Sequence, residues 1–305
     1  MLANFLNKSK PINFIGLLLF FLLGFLYTVF YDGYTYEKLI KAALFLLLFF
    51  TIFFISSFIN TKNRLTLDNS YAFFLFTILI LCIVTELKTY RILIEGIIYL
   101  LSLRKIYSLR STKQIIKKNY DSGFWLGVLF ILEPFSILFF LLIFLANYLH
   151  NKITVYSLFA PIIGFITPLI IYFTYHFWYD NTIAFTSLFI FDINFNIQFY
   201  LQTKYTWLSS TILFLLIFTI FFKSIKALSV NNTFRKSWIL LVSNFLIVLL
   251  FSISITEKNG SEMMFMLFPV SIILANGLEL ISKKIIKDII LYLFILTSIF
   301  CIYFL

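Results

Sequence analysis

The hydrophobic pattern of the chain consists of long apolar runs with short polar segments between them. The predicted spans cover about 14–31, 40–58, 71–85, 92–103, 155–178, 207–228, 237–255, 263–281 and 289–305. Most of these runs approach the ~20 apolar residues that a helix needs to cross ~30 Å of hydrocarbon. Barrel strands would instead give segments of ~10 alternating residues. The pattern therefore predicts an all-α, polytopic membrane protein with a single transmembrane domain over residues 1–305.

The stretch 121–150, DSGFWLGVLFILEPFSILFFLLIFLANYLH, is longer than one crossing needs and contains Glu133-Pro134 near its middle. Proline has no N–H and clashes with the preceding turn, so it favours a break in the helix there. The stretch forms either one long crossing or a re-entrant hairpin of two half-helices, about 122–132 and 135–149. We predict the hairpin, which gives nine full spans plus one re-entrant hairpin.

Positive charges decide between these two topologies, because Lys and Arg concentrate in cytoplasmic loops. Residues 103–120 carry six of them and no acid. With the hairpin, 18 of the 24 Lys and Arg residues lie in the cytoplasm, whereas one long crossing would place eight later basic residues outside against two inside. The sequence therefore predicts a multi-pass membrane protein with its N-terminus in the cytoplasm and its C-terminus outside.

Composition narrows the class of partner. The chain is 62% hydrophobic and only 12% charged, about half the charged fraction of a soluble domain. Its net charge of +11 lies in short clusters between apolar runs, which argues against nucleic acid and favours membrane lipids as partners. The two cysteines lie inside apolar runs, and no Walker A, GxGxxG, HExxH, CxxC or GxSxG motif is present. We therefore expect no metal and no cofactor.

Charged residues at membrane depth are the candidate functional residues, because an ionised carboxylate there costs ~3 kcal/mol or more unless it is paired or hydrated. Glu133, at the hairpin break, either caps a broken helix end or lines a cavity that binds substrate. Arg91 and Glu95 are four residues apart, as are His176 and Asp180, so each pair would share one helix face. The first pair fits a local salt bridge, and the second fits either an interfacial anchor or a proton-transfer pair.

Residues 179–205 form a predicted outer loop in which residues 191–202 alternate strictly between apolar and polar side chains. This period of two favours an extended segment that lies at the membrane surface. Three roles are open for it: a surface connector, a lid over an outer cavity, or an edge that pairs with another membrane protein.

Residues 90–180 resemble the middle of the GT-C superfamily of polyprenol-phosphate-sugar-dependent glycosyltransferases. The resemblance rests on a basic segment, on the sequence SGFWLGVLFILEPFSILFFLLIFLANYL that follows it, and on the next predicted span. Glu133 stands where that superfamily usually has a basic residue before the proline. The resemblance implies a polyprenol-linked substrate and a catalytic acid in the first outer loop, where Asp32 stands with Glu37 nearby. This loop has about eight residues, shorter than is usual in the superfamily. The whole chain, from FLNKSKPINF onward, also resembles an uncharacterised family of bacterial multi-pass inner-membrane proteins.

The sequence leaves three functions open. The first is a GT-C-like glycosyltransferase, or an inactive relative, that binds a lipid-linked substrate at an outward-facing cavity. Asp32 is its candidate catalytic residue, and its candidate substrate-binding residues are Glu37, Arg91, Glu95, Glu133, His176 and Asp180. The second function is a non-catalytic membrane subunit or assembly factor with another membrane protein as its partner. The third is a transporter with the intramembrane carboxylate of Glu133 as its site.

Overall fold

The structure is a computed structural model that describes residues 1–31, 33–87, 89–191, 200, 206–229, 232–255 and 258–304. Every regular element within these ranges is a helix, which confirms the predicted all-α fold. The α-helices are α1 (Leu2–Leu6), α2 (Pro11–Phe30), α3 (Tyr36–Asn63), α4 (Tyr71–Ile83), α5 (Tyr90–Ser108), α6 (Ile115–Leu132), α7 (Phe140–Leu149), α8 (Val155–Trp178), α9 (Thr182–Thr186), α10 (Thr206–Ser229), α11 (Asn232–Ser254), α12 (Leu267–Leu280) and α13 (Lys284–Phe304). Three 3-10 segments join them, at Pro134–Phe139, Ser187–Phe189 and Ser261–Met266.

Seven helical segments in the described part of the chain are long and apolar enough to cross a membrane. They are Pro11–Phe30, Tyr36–Asn63, Val155–Trp178, Thr206–Ala227, Phe234–Ser254, Ser261–Leu280 and Lys284–Tyr303. The predicted polytopic membrane fold follows from these segments. Two further apolar helical segments, Tyr71–Ile83 and Pro134–Leu149, are shorter. Because length alone does not decide whether they cross, the count of nine spans plus a hairpin stays a prediction.

The backbone divides into two compact units. Unit 1 comprises Met1–Leu93, Ile197–Trp238 and Asn259–Leu305, and unit 2 comprises Ile94–Asn196 and Ile239–Lys258. That the two act as one transmembrane domain stays a prediction.

Unit 1 is built around α4. All thirteen residues of this helix are buried, and it packs against α2, α12 and α13. The span that contains α12 is 72% buried, against 17% for Lys284–Tyr303, so α12 lies inside the unit and α13 at its surface. At one end the buried Glu279 carboxylate accepts hydrogen bonds from the backbone N–H of Leu67 and the amide of Asn69, both at 2.8 Å. The same carboxylate pairs with Lys223 of α10 at 3.1 Å, so Glu279 links α12 to α10 and to the loop before α4.

Unit 2 contains a reversal of the chain at Glu133-Pro134. Helix α6 ends at Leu132, Glu133 is extended (φ −139°, ψ 100°), and the 3-10 segment and α7 then lead back. Near the start of α6 and the end of α7, the buried side chains of Asn119 and Asn147 exchange two hydrogen bonds of 3.1 and 2.8 Å. Residues 28 positions apart therefore lie side by side, which requires a hairpin. We call the end of unit 2 at Glu133 the tip end and the end at Asn119 the base end.

The first limb of this hairpin is longer than the sequence predicts. We expected a half-helix from about 122, but α6 begins at Ile115 and so is 18 residues, roughly 27 Å, long. Lys117, Lys118 and Asp121 in its first turns account for the difference, because charged residues at a helix end reach water while the backbone stays helical. The length argument for half-helices is therefore wrong for this limb, although the reversal places both ends of the hairpin on one side.

Helices α6 and α8 run parallel, and their backbones lie close together at three glycines. A Cβ atom added at Gly123 would lie 2.7 Å from the carbonyl carbon of Pro161 and 2.8 Å from its Cα. One turn further on, Gly127 faces Phe165 and Pro168 in the same way. The spacing Gly-x-x-x-Gly places both glycines on one helix face, a pattern that drives close helix packing in membranes. The contacts of Gly123 with Pro161 and of Gly127 with Phe165 each pair a residue of α6 with the residue 38 positions later in α8.

Candidate functional site

The tip end of unit 2 holds Glu133, the residue singled out from the sequence. Its backbone N–H ends α6 with a 2.8 Å bond to Leu129, and its carbonyl accepts the N–H of Ser136 at 3.0 Å. Pro134 occupies the first position of the 3-10 segment, where its missing N–H costs no hydrogen bond. The Glu133 side chain is partly exposed. The local sequence thus fixes a carboxylate at the point where the chain turns.

Aromatic rings of the segment after α8 pack over this tip. The ring of Phe130 lies 5.7 Å from that of Phe189 and 6.4 Å from that of Phe191. Phe135, just after the break, lies 5.7 Å from Phe191. Residues 182–189 are helical, so the start of the predicted outer loop folds back over the hairpin. In the alternating segment 191–202, which we interpreted as a surface connector, a lid or an edge for a partner, residues 192–199, 201 and 202 lie outside the described residues.

An open apolar groove runs along the tip end of α8. It has a volume of about 390 Å³ and is lined by Ile170, Ile171, Thr174, Tyr175, Trp178 and Tyr179. These side chains are exposed in unit 2. Because the two helices keep an offset of 38 residues, Glu133 lies level with Ile171. The groove and the Glu133 carboxylate therefore lie at the same level along the axis of α8.

His176 and Asp180 lie beside the groove, but they do not form the predicted pair. Helix α8 ends at Trp178, and Asp180 has a left-handed backbone (φ 52°), so the two side chains no longer share one helix face. No ion pair joins these two described residues. The His176 ring packs instead on Tyr172, with centroids 4.3 Å apart, and Asp180 is exposed. The interfacial-anchor interpretation fits this arrangement better than a proton-transfer pair.

A buried polar face on α5 is the second chemical feature of unit 2. Glu95, only 4% exposed, Tyr99 and Ser102 are spaced i, i+4 and i+7, so they point the same way. The Tyr99 hydroxyl donates a 2.8 Å hydrogen bond to the Asn244 carbonyl oxygen of α11. Ser102 donates to the backbone carbonyl of Ser122 in α6 at 3.3 Å. This face carries polar groups from the level of Glu95 toward the base end.

The remaining predicted site residues belong to unit 1. Glu37 is exposed in the first turn of α3, and Arg91 is exposed near the start of α5. Asp32, the candidate catalytic acid, lies outside the described residues. Among the predicted residues, the structure places Glu133, His176 and Asp180 at the tip end of unit 2, whereas Glu95 lies on the buried face of α5.

Sequence reasoning missed one buried acid in unit 1. Glu262, 2% exposed, lies in the 3-10 segment before α12, and one of its carboxylate oxygens accepts a hydrogen bond of 2.5 Å from the Tyr200 hydroxyl. Burial and the negative charge of Glu262 raise the pKa of Tyr200, so the hydroxyl stays protonated and continues to donate. No local signal in the sequence connects these residues, because they are 62 positions apart.

A buried lysine ammonium group at the base end of unit 2 was also missed. Lys152, 8% exposed, donates to the backbone carbonyls of Leu109 and Ser111, just beyond the end of α5. Burial and the neighbouring charge of Lys118 lower the pKa of Lys152. Within the described ranges, no group of three or more His, Cys, Asp or Glu side chains lies together as a metal site would need.

Comparison with known proteins identifies the family. The sequence model of one family matches residues 1–304, and that family is described as a family of unknown function (DUF6427). The chain belongs to the DUF6427 family. No curated protein matches it, and no solved structure does. The predicted resemblance to an uncharacterised family is confirmed, whereas the GT-C resemblance finds no support in the comparisons.

Proposed function

We propose that this DUF6427 protein binds the lipid part of a lipid-linked molecule in the groove on α8, with the polar part at the tip end of unit 2. The proposal includes the inner membrane as the location, with the N-terminus in the cytoplasm and the tip end outside. The groove itself carries the proposal, because it is an open apolar hollow between exposed side chains of a helix that is long enough to span the membrane. Concave apolar sites with a few polar groups at the rim are the usual form of small-molecule sites.

The length of α8 supports a position of the groove at the membrane boundary. Exposed aromatic side chains mark both ends of this helix, with Tyr156 72% exposed at the base end and Trp178 81% exposed at the tip end. They are 22 residues apart, which corresponds to roughly 33 Å along a helix. Trp and Tyr concentrate where hydrocarbon meets headgroups, and ~30 Å separates the two boundaries. The groove then opens to lipid just below one boundary.

The polar groups at the tip end of unit 2 suit a headgroup rich in hydroxyls. Carboxylates accept hydrogen bonds from hydroxyl groups, and Glu133 and Asp180 supply two of them. His176 supplies a ring nitrogen that can donate to a phosphate or accept from a hydroxyl. A sugar attached through phosphate to a polyprenol presents both chemistries. A catalytic role for Asp32 stays a prediction that the geometry does not test.

Transport is a second candidate function, favoured by the buried polar face of α5. Glu95, Tyr99 and Asn244 are buried polar residues of unit 2, and a hydrogen bond joins Tyr99 to Asn244. Buried ionisable groups in membrane helices often mark ion or proton pathways. In liposomes that contain the protein and a pH-sensitive dye, this function predicts a proton flux that Glu95→Gln abolishes. A flux no greater than in protein-free liposomes would remove it.

A groove-filling variant tests lipid-linked substrate binding. Thr174→Trp places a ring inside the groove, and Ile163→Trp adds the same ring to an exposed position of α8 outside it. We expect the purified wild-type protein to bind a polyprenyl-phosphate sugar at least tenfold more tightly than a diacyl phosphatidylcholine. We expect Thr174→Trp to lower this affinity at least fivefold, and Ile163→Trp to leave it within twofold. Equal affinity for both lipids in the wild type, or equal effects of the two variants, would contradict the proposal.

A further inference from the structure

The base end of unit 2 concentrates positive charge without matching acids. Lys118 donates to the Ser108 carbonyl at 2.8 Å and to the Ser111 hydroxyl at 2.5 Å, and Lys152 donates to carbonyls of the same turn. Two ammonium groups thus meet around Ser111. Both satisfy carbonyls at the end of α5, where cations are favourable because of the helix dipole. These carbonyls are therefore occupied and offer little to further lysines.

Lys113 and Lys117 remain exposed beside this turn. Both side chains point to the surface, and residues 96–120 contain no acid. The nearest carboxylate in the sequence, Asp121, already pairs with Lys105 at 2.6 Å. The underlying Lys118 and Lys152 add positive potential from within the protein. This arrangement attracts an anion from outside the protein, since the charges of the surface lysines are not balanced locally.

Apolar side chains share this surface with the lysines. The offset of 38 residues between α6 and α8 places Lys117 level with Val155, which is 67% exposed. Ile116 and Ile153, which are 54% and 53% exposed, lie at the same end. Exposed apolar groups next to lysines would be unfavourable in water, but they fit the boundary between hydrocarbon and headgroups. A soluble phosphorylated molecule would pair with the lysines but leave the apolar side chains exposed to water.

We propose that the base end of unit 2 is a binding site for the phosphate of an anionic phospholipid. Lys113 and Lys117 contact the headgroup, Lys118 and Lys152 strengthen the field, and the exposed isoleucines lie against the acyl chains. This site is separate from the groove on α8 and does not depend on the function proposed for that groove. The headgroup also holds the base end at the membrane surface.

The test uses the full-length protein in a neutral detergent and measures binding of phosphatidylglycerol and phosphatidylcholine. A lysine near an anionic surface contributes an attraction that corresponds to about fivefold in affinity, so removing two lowers affinity roughly 10- to 30-fold. We expect this loss for the double variant Lys113→Gln/Lys117→Gln, and a loss within twofold for Lys38→Gln/Lys41→Gln, which removes the same charge from α3. Lys113→Arg/Lys117→Arg should bind phosphatidylglycerol as the wild type does.

Three results would overturn this inference. The first is equal affinity of the wild type for phosphatidylglycerol and phosphatidylcholine. The second is an unchanged affinity in the double glutamine variant with an intact gel-filtration profile. The third is full competition by inorganic phosphate at the same concentration as the lipid, because that result would identify a site for a soluble anion.

Discussion

The contact between α6 and α8 leads to a graded prediction about alanine substitutions at glycine. In Gly123→Ala, the new methyl group would overlap the carbonyl oxygen of Pro161 and lie 2.7–2.8 Å from its carbonyl carbon and Cα, where ordinary contacts are 3.4–4 Å. The helices must therefore move apart by roughly 1 Å along their closest contact. Backbone atoms cannot move aside as a side chain can, so we expect a loss of about 2–3 kcal/mol, typical of an overpacked core.

Gly16→Ala is the matched control for this variant. Gly16 lies in the middle of α2, and a Cβ atom there has nothing within 4 Å. The substitution should leave stability unchanged or raise it by up to ~1 kcal/mol, since alanine favours the helix. Gly24→Ala falls between the two, because its Cβ would approach only the ends of flexible side chains, Leu81 at 2.7 Å and Ile302 at 3.1 Å.

Thermal unfolding of the detergent-solubilised protein, followed by gel filtration after heating, measures these differences. With roughly 2 °C per kcal/mol for a large chain, Gly123→Ala should unfold about 5 °C or more below the wild type. Gly24→Ala should show a smaller loss, and Gly16→Ala none. If Gly123→Ala unfolds at the wild-type temperature, the parallel α6–α8 contact and the register that relates Glu133 to the groove are wrong.

Three further substitutions test buried polar contacts by the same thermal assay. Asn147→Leu should cost about 1–3 kcal/mol because it leaves the Asn119 amide buried without its partner, and adding Asn119→Leu should recover most of this loss; additive losses would refute the pair. Tyr200→Phe should cost about 1.5–3 kcal/mol because it removes the donor to the Glu262 carboxylate, and an unchanged unfolding temperature would count against that bond. Lys152→Met should cost about 1–3 kcal/mol because the carbonyls of Leu109 and Ser111, just beyond the end of α5, lose their donor. A stabilised variant would show that the buried charge of Lys152 destabilises the fold.

Apolar run lengths and one proline predicted much of the architecture. The break at Glu133-Pro134 has a local cause, since proline cannot continue the helix, and it is therefore visible in the sequence. The start of α6 at Ile115 was missed, because the apolar pattern begins only after Asp121 and run length reports hydrophobicity, not helix length. The close packing of α6 on α8 had a signal, Gly123-x-x-x-Gly127, which identifies a packing face but not its partner.

The candidate sites were harder to predict than the helices. The charge of Glu133 and its position at a break marked it from the sequence alone. The prediction that His176 and Asp180 share one helix face was wrong. The i, i+4 rule holds only while the helix continues, and α8 ends at Trp178. The contact between Tyr200 and Glu262 depends on tertiary packing between distant segments, and no periodicity encodes it.

The reversal of the chain at Glu133-Pro134 is the central claim, because the orientation of every later span depends on it. Cysteine accessibility tests it directly, since Cys82 and Cys301 are both buried and leave a low background. Single cysteines replace Lys113 and Asn151 at the base end and Tyr179 at the tip end, all exposed positions. In right-side-out spheroplasts, a membrane-impermeant maleimide should label Tyr179→Cys, and should label Lys113→Cys and Asn151→Cys only after lysis. Labelling of Asn151→Cys from outside, with Lys113→Cys still protected, would show one long crossing and contradict the account.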